Sequence, residues 1–352
     1  MLNVFLTGAG APGSSGTLHL LKLGASSSGI QLKVYGGDQR PHLNVYGFEE
    51  IIQLPNPTDV DYLEALNYAI RRFAIDIVIP QTTAENLLLS KFREQLEAKL
   101  LALEYESVKI LNNKANLMRS FSEAGLPHPK FILTNSRTSL EEALQTLGHP
   151  TLPVVIKPTE SNGMRGVRKI TNWTESFDSF FREKPHGWTM TRSQLIRTLS
   201  QGDSWPEMIA MEYLEGTEYS VDIFSDADGT LVFPRERTEM RAGISTVTTL
   251  MQEPAITEVT EEFIRKYSIT GLFGLQYVLT QEGPMILESN PRVQGTMVAS
   301  ALSGVNIVWL ALKHGLGISI DDSERVATFT SGVFRRTWGG DFYFEDGRLE
   351  SL

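Results

Sequence analysis

Residues 287–292, Leu-Glu-Ser-Asn-Pro-Arg, follow an apolar run and set a carboxylate, an amide and a guanidinium at every second position. Alternate side chains of a strand share a face. Glu288, Asn290 and Arg292 would then present two oxygen ligands beside a fixed cation, which suits a hard divalent ion carrying a polyphosphate. The same six residues also read as a solvated strand end. Residues 274–280 and 285–290 read as two strands joined by Gln281-Glu282-Gly283-Pro284, a hairpin that places Gln276 opposite Glu288.

Other stretches carry further candidate chemistry. Lys157 closes an apolar strand, a costly place for an ammonium unless it meets an anion. Residues 159–166 follow, with Gly163, Arg165 and Gly166, a loop whose backbone amides can fold over phosphates. An ordinary hairpin with a salt-bridged lysine would look the same. In residues 208–223, Glu212 and Glu218 flank a Leu-Glu-Gly turn. Such a turn can offer backbone groups to an adenine edge and a carboxylate to ribose hydroxyls, or be a plain hairpin with solvated acids. Arg235, Arg237, Glu239 and Arg241 alternate along one strand face. Three arginines there make an anion-seeking surface, with Arg241 the favoured member, or a charged edge that resists aggregation. Gly8, Gly10 and Gly13 fit G-x-G-x-x-G between a strand and a helix, with Asp38 just past the second strand. This is the dinucleotide fingerprint and the basis of an alternative reading as a nicotinamide-dependent oxidoreductase. Pro12 is an unusual occupant of such a turn, and glycine can be needed there for backbone conformation alone.

Strands at 4–7, 30–35 and 76–80 alternate with helices near 18–23, 59–73 and 85–103, which predicts a parallel, doubly wound sheet. A strand is expected at 108–111 and a helix from Lys114 to about residue 124. Strands are expected at 131–133 and 153–158. Residues 182–206 show no clear period and receive no role. Helices near 295–301 and 305–312 and strands within 326–338 precede a polar tail. The 352 residues suffice for two or three domains, and 41% hydrophobic with 21% charged residues is ordinary for a globular protein. A net charge of −10 argues against a nucleic-acid partner. The absence of cysteine removes disulfides, thiolate zinc sites and cysteine nucleophiles. The six histidines show no ligand spacing. No apolar run approaches the roughly 20 residues of a membrane span, and residues 1–6 lack a basic n-region, so a cytoplasmic protein is expected.

Taken in order, the helix-starting lysine, the Ile-Lys-Pro strand end, the glycine loop, Glu-x-Leu-x-Gly-x-Glu-Tyr-Ser-Val-Asp and Glu-Ser-Asn-Pro-Arg resemble the ATP-grasp superfamily. The nearest likeness is to one ATP-grasp unit of the carbamoyl-phosphate synthase large subunit and to single-unit carboxylate-amine ligases. The resemblance implies an α/β chain with a Rossmann-like domain over residues 1–108, a two-lobed α+β ATP-grasp domain over 109–325 and C-terminal strands and tail over 326–352. The lid lobe would cover about 126–211 and the C-terminal lobe about 212–325. It implies Lys114, Lys157, Gly163 and Gly166 at the ATP phosphates, Glu212 and Leu214 at adenine, Glu218 at ribose, and Gln276, Glu288 and Asn290 on Mg2+, for which Mn2+ is a substitute. It implies Arg292 near the phosphate and substrate, and Arg241 is added as a second catalytic arginine. The expected activity is ATP-dependent activation of a carboxylate as an acyl phosphate, captured by an amine. The partners implied are small molecules, with a homodimer as the assembly considered. A non-catalytic nucleotide-binding protein is the remaining alternative. The glycine loop is poorer in glycine than that enzyme's, and one unit stands where it has two.

Overall fold

The computed structural model describes the chain except residues 42, 44, 162, 173–186, 242, 327–329, 338–340, 344–348 and 352. Three sheets follow one another along the sequence. The first is all parallel, in the order β3-β2-β1-β4-β5: β1 (Leu2–Thr7), β2 (Leu32–Asp38), β3 (Ile51–Gln53), β4 (Ile77–Pro80) and β5 (Lys99–Leu100). Its central strands β1 and β4 are apolar runs buried on both sides, as parallel strands are. Helices α1 (Ser14–Ser27), α2 (Tyr62–Phe73) and α3 (Thr83–Lys91) alternate with them. The strand order reverses between β1 and β4, so their carboxyl ends form the switch point of the sheet.

Helices α4 (Tyr105–Asn112) and α5 (Lys114–Ala124) lead to the second sheet, β6 (Phe131–Thr134), β7 (Val154–Pro158), β8 (Arg168–Ile170), β9 (Thr189–Met190) and β10 (Met208–Glu212), ordered β6-β10-β7-β8-β9. Leu140, Ala143 and Leu144 of α6 (Arg137–Thr146) and Leu195 of α7 (Arg192–Leu199) cover its apolar face. The third sheet is antiparallel, in the order β15-β14-β11-β12-β13-β16: β11 (Thr217–Asp226), β12 (Gly229–Arg241), β13 (Ile244–Leu250), β14 (Gly271–Thr280), β15 (Gly283–Asn290) and β16 (Gly332–Arg335). Tyr219, Val221, Leu275 and Tyr277 pack one face against α4, α5 and α8 (Pro254–Tyr267). On the other face Phe224 and Leu272 join a core with α1, β1, α9 (Met297–Leu302) and α10 (Ile307–Leu316). The first and third sheets therefore share a core. Helix α11 (Asp322–Arg325), the hairpin β17 (Asp341–Tyr343) and β18 (Leu349–Ser351), and a short 3-10 turn at Arg93–Gln95 complete the described elements.

Two expectations fail locally. Residues 108–111 lie in helix α4, where Val108 and Leu111 share a buried face three residues apart. A four-residue apolar run cannot distinguish strand from helix by period. The helix expected over 85–103 stops at Lys91, because residues 99–100 pair with β4, and Arg93 donates to the carbonyls of Leu100, Ala102 and Leu103. Of the unassigned 182–206 segment, β9 and α7 lie among the described residues, whereas 182–186 lie outside them.

Candidate functional site

The β14–β15 hairpin sets Gln276 opposite Glu288 and Gly274 opposite Asn290. Its register shifts after Gln276, pairing Tyr277 with Ile286 and leaving Leu287 as a bulge. A bulge releases backbone groups from the ladder and re-aims a strand. Here the Leu287 carbonyl accepts from Lys157 Nζ at 3.4 Å. Because the bulge precedes Glu288, the alternation from Glu288 to Asn290 is kept, and Gln276, Glu288 and Asn290 share a face. Arg292 lies beyond the strand end. Its guanidinium donates from Nη1 to Val293 O at 2.8 Å and from Nε to Thr83 Oγ1 at 3.4 Å, so it meets the start of α3 at the switch point of the first sheet.

Lys157 and Lys114 are 4% and 6% exposed. Neither has a carboxylate within ion-pair distance among the described residues. Lys114 Nζ donates to Ser161 O at 2.7 Å and to Ser161 Oγ at 3.3 Å. Burial holds both ammonium groups below their ordinary pKa, with Glu288 opposing the shift in each. Glu288 is the acid the two buried lysines share, with Glu160 adding to its effect on Lys114 and Glu218 on Lys157, and none of them closes an ion pair with either ammonium. Their placement is local chemistry: Asn113 caps α5 by accepting from the amides of Ala115 and Asn116 at 3.0 and 3.1 Å. The Lys114 amide donates to Thr159 O at 2.9 Å, tying the helix start to the end of β7.

Gly163, Met164 and Gly166 have φ of +62°, +63° and +74°. This left-handed run curls the loop back on itself, with Gly166 so close to Pro158 that a Cβ would meet Pro158 Cγ at 2.5 Å. At the turn between β10 and β11, the Glu212 carboxylate accepts from the Lys130 amide at 2.8 Å and serves the sheet edge. Leu214 is half-buried in this turn. Tyr213 beside it lies under Lys169 Nζ, 3.5 Å from the ring centroid, a contact with no signal in the sequence.

Glu218 and Gln276 are joined by a residue ranked low from sequence. Arg237 Nη1 donates to Glu218 Oε2 at 2.9 Å and to Gln276 Oε1 at 2.8 Å. Arg235 is completely buried on Asp222, with bonds of 2.6 and 3.0 Å, and also donates to Thr296 Oγ1. Arg241 lies exposed at the tip of the β12–β13 hairpin and is not brought to the group. Register shifts around Glu239 break the alternation that would align residues 235 to 241. The β11–β12 register pairs Tyr219 with Glu236, which sets Arg237 opposite Glu218, and that cross-strand charge pair was the available signal.

The N-terminal glycine turn is closed by packing. Asp38 accepts from the Gly10 amide at 2.9 Å and from Arg40 Nε at 2.9 Å, and these bonds hold its carboxyl below its ordinary pKa against the opposing effect of burial. A Cβ on Gly13 would meet Gly295 Cα at 2.7 Å. Close approach of two backbones explains this glycine, and the acid of the fingerprint is already engaged.

No described group of three His, Asp or Glu side chains could hold a metal. The shared face offers one carboxylate, Glu288, and the amide oxygens of Gln276 and Asn290, a hard donor set that fits Mg2+ when phosphate oxygens complete its shell.

Residues 204–336 match a family described as ATP-grasp in the biosynthetic pathway with Ter operon. The chain is 24% identical over 318 residues to the arginine-specific large chain of carbamoyl phosphate synthase from Bacillus subtilis, a match of 83% of this chain and 29% of that protein. A carbamoyl phosphate synthase large chain from Rubrobacter xylanophilus is 25% identical over 308 residues, 80% of this chain and 27% of that one. The chain thus spans less than a third of the length of these relatives. Among solved structures, an N5-carboxyaminoimidazole synthetase from Staphylococcus aureus complexed with ADP has a TM-score of 0.67 at 17% identity, covering 91% of this chain and 78% of that one. An L-amino acid ligase from Bacillus licheniformis has a TM-score of 0.64 at 15% identity, covering 92% and 76%. The biotin carboxylase domain dimer of Hydrogenobacter thermophilus 2-oxoglutarate carboxylase, in complex with MgADP, ADP and bicarbonate, has a TM-score of 0.70 at 14% identity, covering 94% and 73%.

Proposed function

We propose that this chain, which carries an ATP-grasp unit resembling those of the carbamoyl phosphate synthase large chain, is an ATP-dependent ligase that activates a carboxylate as an acyl phosphate. The observation that carries the reading is the pair of buried lysines without a carboxylate partner, facing Glu288 beside Gln276 and Asn290. In the reaction a substrate carboxylate oxygen bonds to the γ-phosphorus, the bond to the ADP oxygen breaks, and an amine then displaces phosphate from the acyl carbon. Lys114 and Lys157 hold the phosphates and take up the charge that moves onto them. The loop around Gly163 and Gly166 covers them, and the turn at Glu212 and Leu214 holds adenine through its backbone. Glu218 binds ribose, and Arg292, placed between the third sheet and α3, meets the acceptor carboxylate. Arg241, exposed at its hairpin tip, would take a catalytic part only by moving inward when the loop closes. Gln276, Glu288 and Asn290 would hold Mg2+, or Mn2+, which when bound neutralises phosphate charge and fixes its geometry.

In this reading residues 1–108 form a Rossmann-like domain and 109–325 the ATP-grasp domain, with the second sheet as a lid lobe within 126–211, the third sheet as the floor within 212–325, and residues 326–352 as C-terminal strands and tail. The protein would work in the cytoplasm on small-molecule carboxylates and amines, as a monomer or homodimer. The N5-carboxyaminoimidazole synthetase and L-amino acid ligase with the same fold support this choice of chemistry. The engagement of Asp38 with Arg40 gives the nicotinamide alternative no support.

The test is hydroxylamine capture of acyl phosphate across a panel of carboxylates. ADP release should require both Mg2+ and one class of acid, and Glu288→Ala should abolish it while leaving the thermal unfolding midpoint near wild type. Unchanged turnover in that variant would refute the site.

A further inference from the structure

Arg237 hydrogen-bonds both Glu218 and Gln276, and it reaches in a second direction as well. Its Nη1 donates to Glu218 Oε2 and Gln276 Oε1 at 2.9 and 2.8 Å. Its Nη2 donates to Gly243 O at 2.6 Å, and its Nε to Ser245 Oγ at 3.1 Å. The side chain is 6% exposed, whereas that of Glu218 is 33% exposed. One rigid guanidinium therefore fixes two oxygen donors on the sheet floor and the tip of the β12–β13 hairpin at once. The tip touches the glycine loop. Gly243, at φ +77°, lies so close to Met164 that a Cβ there would meet Met164 Cγ at 2.4 Å. The path from floor to loop is Gln276 and Glu218, Arg237, Gly243, Met164.

We infer that Arg237 is a positioning residue that orients the ribose-binding and metal-binding oxygens and latches the glycine loop to the floor through Gly243. The inference rests on the nucleotide reading above. Each of the two oxygens it holds keeps a lone pair free, so the donor bonds persist when a ligand arrives and aim that lone pair at it. Groups that orient metal ligands in this way typically contribute about 10- to 100-fold to metal affinity. A lysine at 237 would restore a charge beside Glu218 but lacks the planar fork that reaches Gln276 and Gly243 together.

Calorimetric titration of the full chain with ATP, with and without Mg2+, gives the factor by which the metal tightens nucleotide binding. Arg237→Met should lower that factor about 10-fold or more, and Arg237→Lys should fall between it and wild type. In the nucleotide-free protein, hydrogen exchange at residues 163–167 should quicken in Arg237→Met, while the amides of β14 and β15 stay protected. A general loss of packing would instead speed exchange across the whole third sheet. If Arg237→Met does not fold, Arg237→Lys decides, since its metal factor must still fall several-fold. ATP binding by wild type with an unaltered metal factor and unaltered loop exchange in the variants would overturn this inference alone. Failure of the wild type to bind ATP at all would overturn the nucleotide reading and this inference with it.

Discussion

Single residues in this chain announce their chemistry by type, but their partners decide whether that chemistry is available. Arg235, Arg237 and Arg241 look equivalent in sequence, yet one is spent in the core, one bridges the site and one lies on the surface. Arg235 illustrates the cost of misplacing charge. It and Asp222 are both fully buried, joined by two bonds, with Thr296 and Ser300 completing the network. Breaking a buried pair by neutralising one partner leaves an uncompensated charge and costs about 3–5 kcal/mol. Asp222→Asn keeps the volume, removes the charge and turns one acceptor oxygen into a donor, so urea unfolding should show a loss of that order. A loss below about 1 kcal/mol would mean that solvent reaches Arg235 after all. The network was not legible beforehand, because nothing in local sequence links residues 222 and 235 to residues 296 and 300. Glu288, Asn290 and Gln276 were legible, because a hairpin with a short turn fixes which residues face each other. Even there the bulge at Leu287 went unforeseen, and it is the bulge that gives Lys157 its carbonyl partner.

At the scale of elements, periodicity located most helices and strands, and it failed where tertiary pairing overrode it. Residues 99–100 become a strand because β4 has a free edge, and residues 108–111 become helical because their buried face meets the α5 core. The glycine turn shows the same dependence on distant partners. Its fingerprint suggests a cofactor, whereas the structure places Gly13 against Gly295, a few residues past the Glu-Ser-Asn-Pro-Arg segment. A methyl group there meets backbone that cannot rotate away, so Gly13→Ala should push α1 from residue 295 and cost about 1–3 kcal/mol. Gly332 has no atom near its absent Cβ and no left-handed φ, and Gly332→Ala should stay within about 0.5 kcal/mol of wild type. Denaturant midpoints of the two variants decide the matter, and equal midpoints would refute the packing account.

For the whole molecule, the order of the three sheets was readable from the alternation of patterns and from the family resemblance, while their mutual contact was not. That contact matters, because Lys157 belongs to the second sheet, while the Leu287 carbonyl it donates to and the Glu288 carboxylate that acts on its charge belong to the third. Burial between sheets lowers the Lys157 pKa from its ordinary 10.5, and the charge of Lys114 lowers it further against the pull of Glu288. Between the lowered value and 10.5 the folded lysine is neutral while the unfolded one is charged. The unfolded state then binds more protons, so this group makes stability rise with pH through that window. A polyphosphate placed beside Lys157 favours the ammonium and restores the higher pKa. Nucleotide binding should therefore take up protons within the window, and affinity should fall as pH rises through it. Titration calorimetry with ATP in two buffers of different ionisation enthalpy measures the uptake directly. It should appear only between the lowered pKa and the ordinary 10.5, and shrink in Lys157→Met, which keeps the stem and removes the titrating group. Heats that do not depend on the buffer at any pH up to the ordinary lysine range would show that no phosphate comes near this lysine, and the site would have to lie elsewhere.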